Sequence, residues 1–203
     1  MVQVDEHWLA RLNALGRTQS RYLWVLLIAC LFYAALRSAA QALMNAKQPG
    51  LQVPVVDLTL DPNIVLALGC AVISFLVLAI TGSLRAYSNA RSHLGAGSGA
   101  DYKAESFDIH PNAIDLAVYT TKDSPRMLAV LASFTYPALL ALALGEAAMF
   151  EYDLIAGTLS SMGGRWWFVA AGGILWFLAA WQVVTIVIAR AGNVHKLRRP
   201  GAA

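Results

Sequence analysis

The chain has 203 residues, of which 58% are hydrophobic and 13% charged, with a formal net charge of +3. A soluble globular domain carries about 25% charged residues, and here the charge that exists is concentrated between four long apolar stretches. That distribution excludes an ordinary soluble domain and predicts an all-α, polytopic membrane protein: a bundle of four transmembrane helices, each close to the roughly 20 residues that cross a hydrocarbon core.

Residues 1–21 precede the first stretch. In DEHWLARLNALG (5–16), Trp8, Leu9, Leu12 and Leu15 share one helical face, Arg11 lies on a more polar side, and Gly16 is a plausible stop. The segment is expected to lie in the inner headgroup region or to pack on the protein's own loop. The first span follows over about 22–44. An arginine followed by an apolar run and then SAAQ (38–41) has the ingredients of a cleavable leader, but the run would be unusually long for one. The expectation is a retained helix.

LQVPVVDLTL (51–60) alternates as a strand does, and Pro54 would confine it to an edge. YDLIAGTL (152–159) is a weaker echo, so the two could form a small cap over the helix ends. The second span covers about 63–84, opened by Asp61 as cap and Pro62 at the first helical position. Loop 85–126 follows. Its SHLGAGSGA portion has a flexible-linker composition, and the portion after it holds enough Ile, Leu, Val and Tyr to fold locally. GAGSG lacks the lysine and the strand–helix context of a phosphate cradle. A cytoplasmic partner would dock on this loop or on the basic tail, 191–203, which could equally anchor to anionic lipid.

The third span, about 127–150, opens with Ser124 and Pro125 in the same arrangement as the second. It carries Pro137 beside Tyr136, a candidate kink, because proline removes one backbone hydrogen bond. The fourth span covers about 166–188. Trp24, Trp166 and Trp167 stand beside arginines at span ends and read as interfacial anchors. Small-residue pairs at four-residue spacing, Ala35/Ala39, Ala67/Ala71 and Ala141/Gly145, suit close helix approach. No internal repeat is evident, which disfavours an inverted-repeat transporter.

Orientation follows from the basic residues. With the N-terminus inside, twelve of the fifteen lysines and arginines are cytoplasmic, and only Arg37, Lys47 and Arg165 fall on or near the other side. That is the excess cytoplasmic loops carry, so both termini are expected in the cytoplasm, in a membrane of the bacterial inner type. The same distribution accounts for the net charge without nucleic acid.

Two ionisable residues lie within the expected spans, Arg37 and Glu146. At 1.5 Å per residue they rise roughly 24 Å and 30 Å from the cytoplasmic ends of their helices, about one turn apart. They could form an intramembrane pair or, with Gln41, line a polar mouth; alternatively each could reach the outer headgroups unaided. No cofactor or metal site is expected: His7, His93, His110 and His195 all lie outside the spans, and Cys30 and Cys70 belong to no metal or redox motif. No catalytic constellation is visible. The functional expectation is a non-catalytic accessory or assembly subunit of a membrane complex. A homo-oligomeric channel is the alternative, and a lipid-modifying enzyme the third. The partners implied are the bilayer and another membrane protein or further copies of this chain.

Overall fold

The computed structural model describes residues 2–45, 51–53, 58–60, 62–97, 126–158 and 166–197, with side chains near several helix ends excepted. The described residues are helical apart from one short antiparallel strand pair. The elements are α1 (Val2–Asn45), β1 (Leu51–Val53), β2 (Leu58–Leu60), α2 (Pro62–Gly97), α3 (Arg126–Thr158) and α4 (Trp166–Leu197). Three stretches, Ala10–Ala39, Ile64–Tyr87 and Val169–Ile188, are long and apolar enough to cross a membrane. The third expected span, about 127–150, lies on α3, which also carries Glu146, Glu151 and Asp153.

All four helices outrun the expected spans. In α1, Gly16 does not stop the helix: it is buried inside it, and its carbonyl accepts a bond from the Ser20 hydroxyl four residues on. Leu12, Gln19 and Leu26, each seven residues from the next, are all buried, so one continuous face replaces the expected break. Within the segment 5–16, Leu12 is buried. The beginning of loop 85–126 and of the tail 191–203 are likewise helical, to Gly97 and Leu197.

The expected cap is different too. Leu51–Val53 and Leu58–Leu60 pair with each other, β1 antiparallel to β2 with Leu51 opposite Leu60 and Val53 opposite Leu58. Tyr152–Thr158, expected to echo them as a strand, continues α3. Ala147, Phe150 and Leu154 explain why: spaced three and four residues apart, they put a buried apolar group on one helical face each turn. Pro62 begins α2 as expected. Asp61, Ser124 and Pro125, Pro54, the Gly/Ser-rich remainder of the loop, the last residues of the tail and the side chains of Gln41 and the four histidines lie outside the described residues.

The helices contribute to two compact units. The first takes α1 up to Trp24, α2 from Ala79, α3 up to Ala138 and α4 from Thr185; the second takes the remaining part of each helix and the strand pair. Helix α2 is the most enclosed element. Leu66, Cys70, Ile73, Val77, Ile80, Leu84 and Tyr87 recur at alternating steps of four and three, and every one is buried. More than half of its apolar stretch is buried, against 6% for α1 and 17% for α4, so the last two turn large side chains outward. Leu31, Ile28, Phe177 and Ile174 are all more than 60% exposed. Water does not tolerate such a surface over whole helices and lipid does. The chain is a membrane protein.

Candidate functional site

In the second unit, α1 brings Arg37 against α3. The Arg37 Nε–H donates to Asp153 Oδ2 in an ion pair whose side chains are 18% and 11% exposed. The guanidinium carbon also lies 5.9 Å from the centre of the Phe150 ring, within cation–π range. Phe150 is fully buried and is held edge-on by Tyr33, with ring centres 6.0 Å apart and planes at 87°. Gly69 makes room for this arrangement. A Cβ there would stand 2.9 Å from two Phe150 ring carbons and 3.1 Å from Tyr33.

Arg37 is therefore paired, but with Asp153 and not with Glu146, seven residues earlier on α3. Glu146 is half-buried, within electrostatic reach of the Cys30 thiol. The third span is expected to end at residue 150, with Asp153 in the strand-like segment 152–159 that follows it. The buried spacing of Ala147, Phe150 and Leu154 was the signal that the helix, and its enclosed face, extended past it.

Glu151 was missed for the same reason. Its two carboxylate oxygens are shut off from solvent and accept no hydrogen bond of ordinary geometry. They lie against α4, where a Cβ on Gly172 would be 2.7 Å from Oε2 and 3.5 Å from the Cys70 sulfur. The Cys70 thiol, a weak donor, stands beside the acid. Both cysteines are free, and Cys70 is fully buried.

The first unit has its own buried polar link. Tyr136 donates to Gln19 Oε1 at 2.7 Å, and Gln19 Nε2 donates to the Ile80 carbonyl at 2.8 Å, tying α3 to α1 and α1 to α2. Gln19 and Tyr136 are buried, as is Pro137, through which α3 runs without interruption. Arg85 donates to Thr185 at 3.0 Å, joining α2 to α4. Of the tryptophans read as anchors, Trp24, Trp166 and Trp167 are all exposed, the last two stacked with centroids 4.0 Å apart.

Ala141 and Gly145 face outward on α3. Nothing lies within 4 Å of a Cβ placed on Gly145, and neighbouring Leu142 is 71% exposed. Among the described residues this pair mediates no packing inside the chain, whereas Ala67 is buried as close helix approach requires. Comparison with protein-family models, with curated proteins and with solved structures finds no match to the chain.

Proposed function

We propose that this chain is a non-catalytic integral membrane protein that serves as an assembly or accessory subunit. It would be a four-helix bundle of the bacterial cytoplasmic membrane with both termini inside. The observation that carries the reading is the internal use of polarity. Arg37 and Asp153 neutralise each other on the inner side of α1 and α3, so the strongest charge expected in a span is spent on holding helices together. A pore mouth built on Arg37 would need that charge directed at a permeating ion. Part of what α3 turns outward is small, Ala141 and Gly145 one turn apart beside the apolar Leu142, a spacing on which a second membrane helix approaches closely.

Native mass spectrometry of the full-length protein, extracted gently from its own membranes, tests the reading. A fixed stoichiometry with a different membrane protein, lost on Gly145→Leu, supports an accessory subunit. A discrete homo-oligomer overturns it in favour of the channel, and conductance that follows charge changes at Arg37 or Glu146 would then complete the case for a pore.

A further inference from the structure

The second unit holds a cavity of about 500 Å³ between α3 and α4, lined by Glu151 and Ile155 on one side and by Gly173, Ile174, Phe177 and Leu178 on the other. That volume is within the range of small-molecule sites. Apart from Glu151 these side chains are apolar, and Ile155, Ile174, Phe177 and Leu178 are each at least 40% exposed. The recess thus opens on the apolar outer surface of α4, one of the helices suited to crossing the membrane.

A lipid-facing hollow of this kind needs no carboxylate. Yet one borders it, with both oxygens removed from water and without a hydrogen bond of ordinary geometry. An acid so placed loses its hydration and has in return only the weak Cys70 thiol donor beside it, and an ionised group held that way costs several kcal/mol. On α4, Gly172 leaves room for the carboxylate itself, and Gly173 puts no side chain between it and the cavity. At Gly173, which lines the cavity, an added Cβ would lie 3.8 Å from Glu151 Oε1, an ordinary contact distance. The absent side chain leaves the acid one methyl group from the cavity floor.

The complement of an apolar hollow with one acid at its edge, met only by the weak Cys70 donor, is an apolar body with one cationic donor. A phosphate-bearing headgroup would bring its own negative charge toward Glu151 and is disfavoured. We propose that the cavity binds an amphiphilic amine whose ammonium pairs with Glu151 past Gly173 and whose apolar part lies against Ile155, Ile174 and Phe177. This site goes beyond the subunit reading and does not depend on it.

The test uses the full chain in phosphatidylcholine nanodiscs, with dodecylamine as probe and dodecanol and dodecanoate as controls of equal length. Bound probe is counted by native mass spectrometry and followed by thermal unfolding. Dodecylamine is expected to bind saturably and to raise Tm, and the two controls are not. Glu151→Gln keeps the shape and removes the charge, and should weaken the amine about tenfold to a hundredfold, the range of a charge-assisted hydrogen bond. Ile174→Trp narrows the cavity with Glu151 untouched and should weaken binding, which keeps the test decisive should the first variant not fold. Equal binding of amine and alcohol, or undiminished amine binding in either folded variant, overturns the proposal.

Discussion

Replacing Asp153 by Asn keeps the size and shape of the side chain and removes its charge, leaving Arg37 in place among Phe150, Tyr33 and α3. Exposed ion pairs contribute about 0–1 kcal/mol, and removing one partner of a fully buried pair costs about 3–5 kcal/mol. With side chains 18% and 11% exposed, this pair stands nearer the second limit. The retained cation–π contact of Arg37 with Phe150 offsets part of the loss, by about 0.5–1 kcal/mol. The expected destabilisation is therefore about 2–3 kcal/mol, roughly a 30- to 150-fold shift toward the unfolded state. Equilibrium unfolding of purified protein in mixed micelles, with SDS fraction as the variable, measures it. The double variant Arg37→Met with Asp153→Leu should recover most of the loss, because removing both charges leaves neither one unpaired. A cost for Asp153→Asn below about 0.5 kcal/mol, the scatter of an unremarkable surface change, would refute the argument.

The same unfolding assay checks three further substitutions. Glu146→Gln should change stability by less than about 0.5 kcal/mol, because Glu146 is not the partner of Arg37; a loss matching that of Asp153→Asn would restore the pairing read from the sequence. Tyr136→Phe removes the donor to Gln19 Oε1 in a buried setting and should cost about 1–3 kcal/mol, whereas a neutral result would mean that water reaches Gln19. Gly69→Val pushes a side chain into the Phe150 ring, 2.9 Å from where the Cβ would stand. Overpacking of this sort costs about 1–3 kcal/mol and should also lower the cost of a subsequent Asp153→Asn, since the displaced ring alters the seat of Arg37. Strict additivity of the two would count against the shared site.

Composition and periodicity by themselves determined that this is a helical membrane protein and roughly where its apolar stretches lie. Insertion into lipid depends on residue type and run length, both local properties, and the backbone must then satisfy its own hydrogen bonds within each helix. Pro62 marks a helix start for the same local reason: its missing N–H is no loss in the first turn. The helix ends were less legible. Gly16, Tyr152 and the glycines to 97 look like breaks in isolation, yet tertiary burial of Leu12, Gln19 and Leu154 carries the helices through or past such positions.

Only the tertiary structure decided the partners. Depth along two helices placed Arg37 and Glu146 about a turn apart, but depth carries no information about rotation, and α3 presents Asp153 to Arg37 while Glu146 lies seven residues earlier. Gly172 shows the same limit. In the sequence it is one of two glycines in an apolar run; in the fold it is where α4 admits the Glu151 carboxylate beside Cys70. A helix sequence specifies which residues share a face, and the facing helices specify what that face meets.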